Sequence, residues 1–77
     1  MIISIDAANG LAIYDQIVRQ IKFAIASEVV LPGELIPSVR EMAKQTAVNP
    51  NTVSRAYREL QSEGILDIVR GTGLQVT

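Results

Sequence analysis

The signals that start and stop helices constrain the fold of this chain more than any other feature of its sequence. Pro37 interrupts helix, and Ser38 directly after it is a good helix N-cap. Glu41 follows three residues later, which completes the pattern of a capping box. The pattern predicts a short helix over about residues 38–46.

A second start signal follows closely. Asn49 is a good N-cap, and Pro50 stands at the first helical position, where the missing backbone N–H of proline costs least. Gly64 is placed to end this helix in a left-handed conformation. We therefore predict a helix over about residues 50–63, joined to the preceding helix by a tight turn.

Upstream, apolar residues at helical spacing predict a first helix over about residues 12–28. They are Ile13, Ile17, Ile21, Ala24 and Ile25. We expect its other face to be polar and to carry Asp15, Gln16, Arg19, Gln20 and Lys22. A short strand is expected ahead of this helix, at Ile2, Ile3 and Ile5. Residues 31–34, Leu-Pro-Gly-Glu, are typical of a turn.

The end of the sequence predicts a β-hairpin over about residues 65–77. Residues 65–69 favour a strand, residues 70–73 favour a turn, and residues 74–77 alternate like a returning strand. The order strand, helix, helix, helix, hairpin is that of a winged helix-turn-helix. Residues 1–77 are thus expected to form a single domain, mainly α with a small β wing.

Composition excludes several classes of function. The chain contains no cysteine and no histidine, which rules out disulfides, Cys/His metal sites and Ser–His or Cys–His nucleophiles within it. No apolar stretch approaches the roughly 18 residues of a membrane span, and the first residues lack the pattern of a signal peptide. We expect no enzyme activity, no cofactor, no metal ion and no membrane association.

The charges are unevenly distributed. The net charge of −1 at pH 7 argues mildly against nucleic acid binding. However, residues 38–58 carry an excess of cations, while the segments on either side carry an excess of carboxylates. The basic residues of this middle segment are Arg40, Lys44, Arg55 and Arg58. Such a local basic region can attract the phosphate backbone of DNA.

The predicted third helix has two different faces. At about 100° per residue, one stripe is apolar and consists of Val53, Ala56, Tyr57 and Leu60. The opposite stripe is polar and consists of Asn51, Arg55, Arg58 and Ser62, flanked by Thr52, Ser54 and Glu59. In a major groove, Arg55 is expected to pair with guanine, asparagine can pair with adenine, and a helix N-terminus favours phosphate. Any single surface arginine is more often solvated surface than a ligand contact, but here the caps, the turn and the basic stripe occur together.

These segments resemble the GntR family of bacterial transcription regulators. The resemblance rests above all on residues 37–41, Pro-Ser-Val-Arg-Glu, and residues 48–53, Val-Asn-Pro-Asn-Thr-Val, and it covers nearly all of the chain from residue 11 onward. The opening residues look like the short YtrA-like branch of the family. The resemblance implies a cytoplasmic homodimer that binds a palindromic operator in double-stranded DNA, usually as a repressor.

The resemblance also implies DNA contacts on the second helix, the third helix and the wing around Gly71. Combined with the basic residues identified above and with Arg70 of the predicted wing, it gives a predicted DNA-contact set of Ser38, Arg40, Lys44, Asn49, Pro50, Asn51, Thr52, Ser54, Arg55, Arg58, Arg70, Gly71, Thr72 and Gly73.

The sequence departs from the family pattern at two informative places. Ala47 stands where the turn usually has glycine, so its backbone is expected either to differ or to tolerate alanine. Thr72 replaces a usual basic residue in the wing. Family members also carry a C-terminal effector-binding or dimerisation segment, which is absent from residues 1–77. A small-molecule effector would be expected to act through that segment.

Two alternatives remain open from the sequence. The acidic flanks and the apolar pair Val29 and Val30 are compatible with a winged helix that binds another protein instead of DNA. The Asn-Pro-Asn-Thr segment also occurs in the MocR-like branch, in which an aminotransferase-like domain follows. In that case pyridoxal phosphate would belong to the fused domain and not to this one.

Overall fold

The computed structural model describes every residue except Met1, Arg70 and Thr72. Three helices form within these residues, α1 over Ile13–Ala26, α2 over Val39–Thr46 and α3 over Pro50–Ser62. Short strands accompany them, β1 over Leu35–Ile36, β2 over Leu66–Val69 and β3 over Gly73–Val76. The winged helix-turn-helix fold is confirmed.

The predicted start signals of α2 and α3 act as caps. The Ser38 hydroxyl accepts from the Glu41 backbone N–H at 3.1 Å, and the Glu41 carboxylate accepts from the Ser38 backbone N–H at 3.3 Å. The Asn49 side-chain oxygen accepts from the Asn51 backbone N–H at 2.8 Å. Each bond satisfies a backbone donor that has no partner inside the helix, so these local contacts fix where each helix begins.

Each helix is followed by a residue in the left-handed backbone region. Gly64 has φ of +76° after α3, and the Ile65 N–H donates to the Leu60 carbonyl at 2.9 Å in the manner of a Schellman cap. Glu28 after α1 and Ala47 after α2 have φ of +61° and +55°. The turn between α2 and α3 therefore keeps the backbone that favours glycine, and alanine tolerates it at a cost of roughly 1–2 kcal/mol.

The hairpin predicted over residues 65–77 forms, and β3 is the central strand of an antiparallel sheet in the order β1-β3-β2. Val69 is opposite Gly73 and Leu66 is opposite Val76. Strand β1 was not predicted, because its two residues are too few to show an alternating pattern. It follows the predicted turn at residues 31–34, where Gly33 has φ of +87°.

The strand predicted at Ile2, Ile3 and Ile5 is wrong. The first residues form no strand in the described part of the chain. Ile3 is buried against the core, whereas Ile2 is 90% exposed. The apolar alternation thus reflects the packing of Ile3 and Ile5 against the core and not a place in the sheet.

Side chains of α1 hold this N-terminal segment instead of a neighbouring strand. The Gln20 amide accepts from the Ser4 N–H at 2.9 Å and donates to the Ser4 carbonyl at 2.6 Å. The Gln16 amide makes the same two bonds to Asp6, at 2.9 and 2.8 Å. Gln16 was predicted on the exposed face of α1 but is only 3% exposed, because the segment covers it.

Helix α3 is the central element of the core and packs against α1, α2 and β2. Its predicted apolar stripe is buried, at Val53, Ala56, Tyr57 and Leu60. The largest buried side chains from the other helices are Ile17, Ile21 and Met42. Of the helices in the described residues, none has the length and apolarity that crossing a membrane requires.

Candidate nucleic-acid interface

The polar stripe predicted on α3 lies at the surface. Asn51, Arg55, Arg58 and Ser62 are exposed, and Ser54 and Thr52 beside them are half-buried. This orientation follows from the core, since the opposite stripe is held between α1, α2 and β2. Packing of the apolar face therefore presents the polar face to solvent.

A groove of about 940 Å³ separates α3 from the wing. Side chains of α3 line one wall, and residues of the hairpin and the start of α2 line the rest. The groove brings together six residues of the predicted DNA-contact set, which are Ser38, Asn51, Ser54, Arg58, Gly71 and Gly73. We call this the α3–wing groove.

Arg55 is not among the residues that line the α3–wing groove. Its guanidinium carbon lies 3.8 Å from the centroid of the Tyr14 ring, in the first turn of α1. This distance is that of a cation–π contact. The exposed stripe, which the sequence suggested was one surface, is therefore divided into a side that faces the wing and a side that faces α1.

The cations of α2 and α3 are available to a ligand. Arg40, Lys44 and Arg58 are exposed. Among the described residues the ion pairs are Arg19 with Asp15 at 3.0 Å and Lys22 with Glu63 at 2.8 Å, so none of these three cations has a carboxylate partner. The described residues also contain no cluster of carboxylates that could hold a metal ion.

The remaining members of the predicted set lie at helix starts and in the wing. Asn49 and Pro50 are exposed at the start of α3, and the cap occupies the side-chain oxygen of Asn49 while leaving its NH₂ group outside that bond. Gly71 and Gly73 are exposed. Arg70 and Thr72 were also predicted as contacts, but they lie outside the described residues.

Several residues of this surface were missed from the sequence. Gln61 lines the groove one turn after Arg58, and helical spacing would have found it. Ile68 lines the groove from β2 and is 64% exposed. No sequence signal pointed to Tyr14, because its contact with Arg55 joins residues that are distant along the chain.

Tyr57 lies at the base of the groove and is a structural residue. It is 1% exposed, and its hydroxyl donates to the Pro37 carbonyl at 2.7 Å, which ties α3 to the segment before α2. Burial raises the pKa of the Tyr57 hydroxyl far above its usual range, and the Glu41 carboxylate adds to this. The hydroxyl therefore stays protonated at neutral pH and acts as a hydrogen-bond donor.

Comparison with known proteins agrees with this geometry. Residues 13–76 match the family described as "Bacterial regulatory proteins, gntR family". The HTH-type transcriptional repressor YtrA of Bacillus subtilis is 44% identical over 97% of this chain, which corresponds to 58% of the repressor. The chain thus spans little more than half the length of that relative.

Solved structures give the same result. YtrA from Sulfolobus acidocaldarius, a GntR-family transcription factor, is 39% identical and has a TM-score of 0.91, over 100% of this chain and 81% of that one. AraR(DBD) in complex with operator ORX1 is 28% identical with a TM-score of 0.89, over 99% and 96% of the two chains. On its sequence and on its fold, the chain belongs to the GntR family of bacterial regulatory proteins.

Proposed function

We propose that this chain is the sequence-specific DNA-binding domain of a transcription regulator, with α3 lying in the major groove of double-stranded DNA. The observation that carries the proposal is the α3–wing groove, where Asn51, Ser54 and Arg58 adjoin Gly71 and Gly73. A solved operator complex of AraR(DBD), at a TM-score of 0.89, supports it.

The proposed contacts divide into base reading and backbone binding. Arg58 can donate two hydrogen bonds to a guanine edge, and Asn51 can pair with adenine. Arg40 and Lys44 are one turn apart on α2, exposed and without carboxylate partners, which suits phosphate contacts. Base contacts set the sequence preference, and phosphate contacts set the position of the domain on the duplex.

The wing and the helix starts complete the proposed set. Gly71 and Gly73 have φ of +79° and +137°, and without side chains their backbone can approach phosphate or the minor groove closely. Arg70 and Thr72 are included on the sequence alone. Ser38, Asn49, Pro50 and Thr52 are included because they lie at the starts of α2 and α3, where the positive end of the helix dipole favours phosphate.

For the whole protein we infer a homodimeric repressor that binds a palindromic operator in the bacterial cytoplasm and responds to an effector through residues outside this chain. The identity with the B. subtilis repressor YtrA supports this role. Two copies of the domain would present two α3 helices, and a palindrome with half-sites one helical turn apart, or a multiple of it, would match them.

The test begins with selection of a duplex from a random-sequence library by this chain. Fluorescence anisotropy then compares the selected duplex with a scrambled duplex of the same length. We expect tighter binding to the selected duplex and an affinity that falls steeply with salt. Arg58→Ala should weaken binding to the selected duplex by roughly 1–3 kcal/mol and relax the preference at one base pair.

Lys22→Ala is the matched control, since Lys22 is a cation of α1 paired with Glu63 and lies outside the proposed contact set. It should leave both affinity and base preference nearly unchanged. Equal affinity of the wild-type chain for selected and scrambled duplexes would refute sequence-specific binding. No binding to any duplex at low salt would favour the alternative in which this surface binds a protein.

A further inference from the structure

Arg55 is held by a contact that the proposed function does not by itself require. Its guanidinium carbon lies 3.8 Å from the centre of the Tyr14 ring, well inside the roughly 6 Å limit of a cation–π interaction. Arg55 is exposed, while Tyr14 is half-buried and packs against the core. The ring is thus the fixed partner, and the arginine is the one that it positions.

The contact leaves the hydrogen-bonding capacity of Arg55 unused. Glu59 follows Arg55 at the i,i+4 spacing of a helical ion pair, and Asp15 is next to Tyr14. Within the described part of the chain neither carboxylate binds Arg55, and Asp15 is paired with Arg19 at 3.0 Å. A ring engages the face of a guanidinium, so the N–H donors at its edge remain available to an anion.

Position separates Arg55 from the residues that can read bases. Asn51, Ser54 and Arg58 line the α3–wing groove, and Arg55 lies on the α1 side of α3. A helix with side chains is about 10–12 Å across and the major groove is about 12 Å wide, so the flanks of a helix in the groove face the phosphates and not the base edges.

We infer that Tyr14 is a positioning residue of the DNA interface, whose ring directs Arg55 to a backbone phosphate and away from the bases. This inference rests on the proposed function, because it assigns roles within the same surface. It replaces the expectation that Arg55 pairs with guanine, and it adds α1 to the elements that determine DNA affinity. Base preference then depends on the wing side of α3.

The decisive measurement is the salt dependence and base preference of Arg55→Ala. Affinities are measured for the library-selected duplex, for its single-base variants and for the scrambled duplex, each over a series of salt concentrations. We expect Arg55→Ala to weaken binding to all duplexes by the same factor and to reduce the slope of log K against log salt by about one unit. Arg55→Ala should rank the single-base variants of the selected duplex in the same order of affinity as wild type does.

Two substitutions of Tyr14 test the positioning role. Tyr14→Leu keeps an apolar side chain but removes the ring, and it should weaken binding to every duplex by about 2- to 5-fold, the equivalent of an exposed cation–π contact. Tyr14→Phe keeps the ring and should bind like wild type. Lys22→Ala removes a cation outside the interface and should leave the slope unchanged.

A measurement on the free protein separates loss of the Tyr14–Arg55 contact from loss of overall folding stability. In NMR spectra, the ring current of Tyr14 should shift the Arg55 side-chain protons upfield in wild type and in Tyr14→Phe, and this shift should disappear in Tyr14→Leu. Thermal denaturation of each variant reports whether the fold is retained.

The outcomes are distinguishable. A wild-type chain that binds no duplex would overturn the proposed function and this inference with it. A wild-type chain that binds specifically, combined with a change of preference at one base pair in Arg55→Ala, would overturn this inference alone. Wild-type affinity and slope in a folded Tyr14→Leu variant would also overturn it.

Discussion

The two faces of α3 determine different properties of the molecule. On the inner face Val53 and Leu60 are completely buried, and their packing contributes to the free energy of unfolding. On the outer face Asn51 and Arg58 are exposed, and substitution of such residues changes stability by about 0.5 kcal/mol or less. Folding and DNA binding are therefore separable along most of this helix, and they are expected to depend on the same residue at its start.

The largest expected effect is on the inner face. Leu60→Ala should lower the free energy of unfolding by about 2–5 kcal/mol, because it removes buried apolar area and leaves a cavity in the core. Urea denaturation followed by circular dichroism measures this change. Arg58→Ala, two residues earlier on the outer face, is the control and should stay within about 0.5 kcal/mol of wild type. Similar losses in both variants would abolish the distinction between the faces.

A smaller effect is expected at Tyr57, on the inner face. Tyr57→Phe removes the hydrogen bond to the Pro37 carbonyl and should lower the free energy of unfolding by about 1 kcal/mol at neutral pH. Burial raises the pKa of this hydroxyl in the folded chain, while in the unfolded chain it ionises near pH 10. Its contribution to stability is therefore complete below pH 10 and is lost as the pH rises further.

The alkaline limb of the stability curve tests this point. Wild type should lose stability above about pH 10 more steeply than Tyr57→Phe, because the unfolded wild-type chain ionises the Tyr57 hydroxyl there while the folded chain keeps it protonated. Parallel curves above pH 10 would mean that the burial of the Tyr57 hydroxyl has no energetic consequence.

At the start of α3, folding stability and DNA affinity should change together. Asn49→Ala removes the cap on the Asn51 N–H and should lower the free energy of unfolding by about 1 kcal/mol. It should also weaken DNA binding if Asn49 contacts the duplex. Asn49→Ser keeps a capping oxygen with a shorter side chain, so it should retain stability and lose only the contact. Unimpaired binding in both variants would remove Asn49 from the interface.

The smallest effect is expected at the turn between α2 and α3. Ala47→Gly should raise the free energy of unfolding by about 0.5–1 kcal/mol, because glycine adopts the left-handed backbone without strain but is more flexible when unfolded. Ala43→Gly, inside α2, should have the opposite sign, with a loss of at least about 1 kcal/mol. DNA affinity measured alongside shows whether the turn affects the outer face.

The parts of this fold that were predictable from the sequence depend on local interactions. The caps at Ser38 and Asn49 and the end of α3 at Gly64 each involve residues within a few positions of one another. The polar stripe of α3 was predictable for the same reason, since helical spacing alone defines it.

The parts that were missed depend on contacts between distant residues. Strand β1 exists because Leu35 and Ile36 pair with Gln75 and Leu74, and its own residues show no strand pattern. The division of the outer face of α3 depends on Tyr14, which belongs to a different helix. Helical spacing predicts that Arg55 is exposed, but not which neighbour holds its side chain.

The attachment of the N-terminal segment by α1 has a consequence for sequence variation. Gln20 binds only main-chain atoms at position 4, and these atoms are nearly the same in every amino acid. In a library of all substitutions, Ser4 should therefore tolerate every replacement except proline, which has no N–H to donate. Gln20 should tolerate very few replacements. A position that accepts many residues, such as position 4, can therefore still hold the N-terminal segment in place through its main chain.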